Sequence, residues 1–168
     1  MSAKLILKIA LLCFGFLILI NTLNLGYESG YRLIYGKASY STKAIFRVPN
    51  SKVEIILERR AAHLFLGEYE RTLVLRLNGK SILRTEAAFD TGGYSRMNVY
   101  RISPSEYFVS GAFSYDSFKL NVERREISST ESEEKPAQAK FVGAFDKDNN
   151  YYWRFIPASE REELKTKL

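Results

Sequence analysis

The chain is poor in the residues that most often carry chemistry. Among its 168 residues there is one cysteine, Cys13, and one histidine, His63. Nothing after position 13 can form an intrachain disulfide, and there is no Cys/His cluster with metal-ligand spacing. Ser-His-Asp chemistry would rest on His63 alone, and no G-x-S-x-G nucleophile elbow is present. Set between Ala61-Ala62 and Leu64-Phe65, His63 reads as a strand-edge residue. No glycine-rich loop is followed by Lys-Ser/Thr, so a P-loop is excluded. The absence of any Asn-x-Ser/Thr sequon excludes N-glycosylation. No cofactor is expected.

Charge of one sign is also scarce. The formal net charge is +6, from 25 basic and 19 acidic side chains. Lys and Arg alternate with Glu along the predicted strands and form no stripe, which argues against a nucleic-acid partner.

What the sequence does have is one long apolar run. Leu5–Ile20, LILKIALLCFGFLILI, is broken only by Lys8, and Ile9–Ile20 holds twelve apolar or small residues in succession. A secretory h-region needs ~7–15 such residues and a full span ~20. With Lys8 snorkelling and Leu23 and Leu25 extending the run, residues 5–25 suffice to enter a lipid bilayer. No A-x-A-like cleavage pair follows at Asn21–Tyr27, so residues 1–26 are read as an uncleaved signal anchor. Cleavage would instead leave a secreted soluble β protein. Leu11 and Leu12 precede Cys13 where a lipobox has small residues, so Cys13 is read as a membrane-buried thiol. Lys4 and Lys8 hold the short amino-terminal side in the cytoplasm. The rest then faces outward from a plasma (inner) membrane, in a bacterium the periplasm.

Residues 27–41, rich in Tyr, Gly and Ser, read as a linker. Residues 42–157 read as one antiparallel β domain, a meander or sandwich, large enough for a proper core. Eleven Phe and eleven Tyr favour strands. Period-two alternation marks Lys43–Val48, Lys52–Arg59, His63–Glu70, Thr72–Leu77, Lys80–Ala88, Arg96–Ile102, Glu106–Phe113, Ser117–Ile127, Phe141–Asp146 and Asn150–Ile156. Asn78-Gly79 predicts a type I′ hairpin turn, and Pro49-Asn50-Ser51 a second turn. Residues 128–138 have almost nothing apolar and are read as a flexible loop. Ser159-x-x-Glu162 resembles a capping box opening a short charged helix over 158–168.

A pattern recurs at Ala87–Ile102, Gly111–Val122 and Gly143–Ile156. A small residue, Ala and Phe are followed by Asp or Ser, a polar turn and an alternating strand. It predicts a repeated hairpin in which a strand ends on a buried Phe and the chain turns. Three sites stand out against this background. Phe89-Asp90-Thr91-Gly92 resembles the Asp-Thr-Gly signature of the aspartic proteases, with Phe141-Val142-Gly143 in place of their later hydrophobic-hydrophobic-Gly element. The resemblance implies a dimeric hydrolase in which Asp90 shares a proton with its symmetry mate; the competing reading makes Asp90 a turn residue. Asp146–Asn150 has a D-x-D-x-N spacing but lacks the Gly and Glu of an EF-hand loop, so it reads as a hairpin tip. On the last hairpin, alternation puts Tyr151, Trp153 and Phe155 on the core face. Tyr152 and Arg154 then lie on the other face, as candidate binding residues. The expected function is a membrane-anchored, non-enzymatic binding or scaffold module for an envelope protein or ligand. An immunity protein against a periplasmic toxin has this size and layout.

Overall fold

The computed structural model describes residues 41–62, 67–92, 96–112, 115–130 and 135–163. The anchor (1–26), the linker up to Tyr40, His63 and residues 164–168 lie outside them. Among the described residues no helix is long and apolar enough to cross a membrane.

The described part of the domain is all strand and turn. Sheet I holds four antiparallel strands in the order β1 (Ser41–Arg47), β2 (Val53–Ala61), β3 (Tyr69–Leu77) and β4 (Lys80–Asp90). Sheet II holds β5 (Met97–Arg101), β6 (Glu106–Ser110), β7 (Ser117–Asn121), β8 (Glu126–Thr130), β9 (Lys140–Lys147) and β10 (Trp153–Pro157). Its order is β10-β9-β5-β6-β7-β8, so β9 crosses back to pair with the free side of β5.

The period-two pattern explains the core. Ala44, Phe46, Ile55, Leu57, Leu73 and Leu75 project from sheet I onto Met97, Val99, Tyr107, Val109, Phe118, Leu120 and Phe145 of sheet II, in one continuous cluster. Phe46 bridges the sheets, 5.5 Å from the Tyr107 ring and 4.8 Å from the Phe155 ring. On the outer face of sheet I, Ile56 and Val74 are also buried. The charged arms around them are paired: Lys43 and Arg84 on Glu58, Arg47 and Arg76 on Glu54, and Arg60 on Glu70. Such exposed pairs each contribute ~0–1 kcal/mol, so their main effect here is cover.

The turns follow their residues. Asn78 (φ 50°) and Gly79 (φ 79°) both take the positive angles of a type I′ turn. At the Pro49-Asn50-Ser51 turn, Asn50 has φ 56° and the Ser51 hydroxyl donates to Val48 O at 3.1 Å.

Several expectations need correction. The segment from His63 to Leu77 yields a single described strand, β3, that begins only at Tyr69. Ser117–Ile127 is two strands, because the Asn121 side chain accepts the Arg124 N–H (2.9 Å) and Arg125 turns with φ 58°. Part of the expected flexible loop, through Thr130, pairs as the edge strand β8. No helix opens at Ser159: residues 158–163 are turn and irregular, drawn onto sheet II by the Arg161–Asp146 ion pair and the hydrogen bond from Tyr100 to Glu163. The recurring motif is not one hairpin used three times. β4 and β5 lie in different sheets, Phe89 is exposed where Phe145 is buried, and Asp146 is paired within β9 against Arg154.

Candidate functional site

Two ends of the sandwich differ in character. Register fixes which residues share an end: Ser41 pairs Arg60, Tyr69 pairs Asp90, Ser110 pairs Ser117, and Lys147 pairs Trp153. Contacts Arg71–Asp116 and Arg59–Trp153 bring these four places to the same end.

This end holds buried charge. Arg59 and Arg71 are directly opposite on β2 and β3, both facing inward. Like charges so placed repel, and the two guanidinium groups point apart. Arg71 donates to Ala88 O (2.8 Å) and to the Asp116 carboxylate (2.7 Å); both side chains of the pair are fully buried. The other Asp116 oxygen accepts the Ala88 N–H at 2.9 Å. Asp116 lies just before β7, so this pair ties sheet II to β3 and β4. A Cβ at Gly111 would lie 1.9 Å from Asp116 Oδ2, so only glycine fits beside the carboxylate.

Arg59 turns the other way. Its guanidinium lies between the rings of Tyr69 (4.1 Å) and Trp153 (4.3 Å), and its Nε donates to Thr42 Oγ1 at 3.2 Å. Trp153 in turn donates its indole N–H to Leu57 O at 3.3 Å. Burial draws the Arg59 pKa below its ordinary value, opposed by the carboxylates of Asp90 and Asp146. Nη1 of Arg59 is buried without a hydrogen-bond partner.

Asp90 ends β4, is only 2 % exposed, and accepts the Gly92 N–H at 2.8 Å. The carboxylate faces inward near Arg59, where the chain crosses to the other sheet, rather than sitting at an open hairpin tip. Of the two candidate binding residues, Tyr152 is 70 % exposed. Arg154 is held by Glu160 (2.8 Å) and Asp148 (2.9 Å), which raise its pKa. Asp148 also accepts the Asn150 and Tyr152 N–H groups, so its oxygens are committed to the turn. Trp153 and Phe155 pack in the core as alternation implies. Tyr151 does not: it adopts φ 65° in the turn and is 82 % exposed. Among the described residues no group of acidic, His and Cys side chains could hold a metal.

The outer face of sheet II carries a second arrangement that alternation does not announce. Tyr100 and Phe108 are buried there as well, beneath the segment that ends at Glu163. Tyr100 donates to Glu163 Oε1 (3.0 Å) and accepts from Asn98 Nδ2 (3.0 Å), with the Lys135 ammonium 5.1 Å from the ring centre. Burial, reinforced by Glu163, pushes its phenol up to about 12 from an ordinary value of 10.0. A raised acid pKa contributes stability that is complete below pH ~10 and is lost as pH rises through ~12. Tyrosinate absorbance is therefore expected to include a component titrating near pH 12, absent from Tyr100→Phe.

At the end away from Ser41 lies an open recess of about 380 Å³ over β6, β7 and β8. Glu106, Lys119, Arg124 and Glu126 line it, with Asn121 and Gln138 between them. These four charges, two of each sign, make no ion pair among the described residues, unlike those on sheet I.

The described residues thus define a two-sheet antiparallel β-sandwich. Comparison with protein-family models, curated proteins and solved structures finds no match to this chain.

Proposed function

We propose that the chain is a single-pass, membrane-anchored protein whose sandwich stands on the extracytoplasmic side and binds a protein partner of the cell envelope without catalysing a reaction. The recess on sheet II carries this reading. Its charges of both signs make no ion pair among the described residues, and a partner with the complementary arrangement would supply mates. Steering and specificity are what such a surface provides. The buried charges at the other end have structural work instead: Arg71 and Asp116 hold the sheets together, and Asp90 closes a turn. The apolar run at residues 5–25 supplies the attachment to the bilayer.

The test is a photo-crosslinking residue placed at Ser128, beside the recess, in the intact chain within its own membrane. A protein adduct at a discrete mass is expected. The double reversal Lys119→Glu/Arg124→Glu should reduce its yield by about tenfold while leaving Trp153 fluorescence unchanged. An adduct that persists undiminished in the reversed variant, or none at all, would overturn the proposal.

A further inference from the structure

The described sandwich has four edge strands, β1 and β4 in sheet I and β10 and β8 in sheet II. An edge invites pairing by another chain unless charge, proline or a bulge protects it. β1 carries Lys43 and Arg47 and lies against β10, with Phe46 4.8 Å from Phe155, and β10 ends on Pro157. β4 carries Lys80, Arg84 and Glu86, and its register with β3 shifts. Its Ala88 N–H and carbonyl are already taken by Asp116 and Arg71. β8 (EISST) has none of these beyond Glu126 and pairs with β7 in unbroken register. The core is also thin along this margin, which β4 and β8 share. On β1 the inward Ala44 and Phe46 are buried. On β4 the inward Leu83, Thr85 and Ala87, opposite Leu75, Leu73 and Arg71, are only half-buried, as is Ile127 on β8.

We propose that the β8 edge takes a strand donated by the protein partner, laid antiparallel along Glu126–Ser129, extending sheet II and covering the half-buried margin. The inference rests on the partner-binding reading of the recess, whose wall includes Glu126 and Ser128. Main-chain hydrogen bonds give such an addition its affinity, and alternate side chains its specificity. Register sets the chemistry of the donor. Glu106, Asn121 and Glu126 form one cross-strand row on the outer face, and Lys119 and Ser128 belong to the next. Glu126 makes no ion pair among the described residues, so the donor residue opposite it is Lys or Arg. The residue opposite Ser128 is acidic. It lies two strands, roughly 10 Å, from Lys119, and over so small a residue as Ser128 two long side chains can meet. The residues opposite Ile127 and Ser129 face the margin and are apolar. Read from its amino terminus, the donor is apolar, acidic, apolar, basic. A second copy pairing its own β8 about Ser128 would set Thr130 against Glu126 and Ser129 against Ile127, matching neither charge nor apolar surface.

The probe is a labelled peptide, Thr-Val-Glu-Val-Lys-Val-Thr, titrated to millimolar concentration against the full chain in detergent and followed by anisotropy. Saturable binding is expected, with slowed amide exchange over residues 126–129. N-methylation of the Glu and the central Val should weaken it about tenfold, since one of two adjacent residues must donate to β8. Glu126→Lys should weaken it about as much and be rescued by the peptide with Glu in place of Lys. No binding, or binding indifferent to methylation, would overturn the donated strand. The Ser128 photo-adduct separates this from the reading beneath it. Ser129→Lys sets a charge on the inward side of the edge and should abolish the adduct while leaving Trp153 emission unchanged. An adduct that survives Ser129→Lys but falls in Lys119→Glu/Arg124→Glu would keep a partner in the recess and remove the strand. No adduct at all would remove both. An adduct between two copies of the chain would assign the edge to self-association and overturn the donor.

Discussion

Arg71→Met is expected to destabilise the sandwich by about 3–5 kcal/mol, while Arg59→Met, at the directly opposite position, changes stability by no more than about 1 kcal/mol. Both arginines are buried and both face the core, so exposure does not separate them. Partners do. Removing the Arg71 guanidinium leaves the Asp116 carboxylate fully buried, with the Ala88 N–H as a neutral donor but no cation. An uncompensated buried charge is among the costliest defects a core can hold. Removing the Arg59 guanidinium forfeits a hydrogen bond to Thr42, two ring contacts, each of the latter ~0.5–2 kcal/mol, and the attraction of the Asp90 and Asp146 carboxylates, of which Asp90 keeps its hydrogen bond from the Gly92 N–H. It also relieves the desolvation of a cation whose Nη1 has no partner, and methionine fills the slot between Tyr69 and Trp153. Trp153 is the only tryptophan and packs in the core, so its emission reports unfolding of the full chain in detergent. With an m-value of ~2 kcal/mol/M, the Arg71 substitution moves the urea midpoint down by about 2 M. The paired change Arg71→Met/Asp116→Leu is expected to restore most of the loss, since both charges leave together. Equal midpoints for the two single variants would mean that the Arg71–Asp116 pair does not close this end of the fold.

That contrast marks where the sequence stops being legible. Alternation places Leu73, Leu75 and Leu77 on one face of β3, and all three point into the sandwich. Asn78-Gly79 declares its turn through two positive φ angles that few other dipeptides accept. Arg59 and Arg71 continue the same inward register as Ile55-x-Leu57 and Leu73-x-Leu75, so one signal was present: a charge in phase with the core. Its mate was invisible, because Asp116 sits in a polar turn 45 residues on and looks like any turn aspartate. Asp90 shows the same limit from the other side. Its bond to the Gly92 N–H is local and readable, whereas its burial depends on β3 and β2. Tyr151 fails differently, since Asp148 gathers the Asn150 and Tyr152 amides and delays the strand until Trp153. The charged tail after Pro157 has a capping-box pattern, yet its Arg and Glu side chains find partners on sheet II, and a few residues of isolated helix cannot compete with those contacts. Which strands share a sheet was not readable either, since near-identical motifs at Ala87 and Gly143 lead to a sheet crossover in one case and a hairpin in the other.

Gly143 shows how much depends on one such unreadable position. It lies in β9, the strand that pairs with both β5 and β10, next to the register shift between Val99 and Tyr100. Its φ of 150° lies in the range that favours glycine. A Cβ there would come within 2.3 Å of Ile156 O and 2.5 Å of the Phe155 ring. The Ile156 carbonyl belongs to the paired backbone of β10 and cannot swing aside as a flexible side chain would. Gly143→Ala is therefore expected to cost about 3 kcal/mol or more, from steric overlap and backbone strain together. Moving β10 to make room would displace Phe155 from Phe46 and Trp153 from Arg59, so the loss should appear as a shifted Trp153 emission as well as a lower midpoint. Gly79→Ala is the control. It shares a positive φ, at 79°, but a Cβ there meets nothing within 4 Å, so it carries only the conformational part, ~1 kcal/mol. If the two substitutions cost the same, the close approach of β10 to β9 contributes nothing, and the core at that edge is looser than its geometry implies.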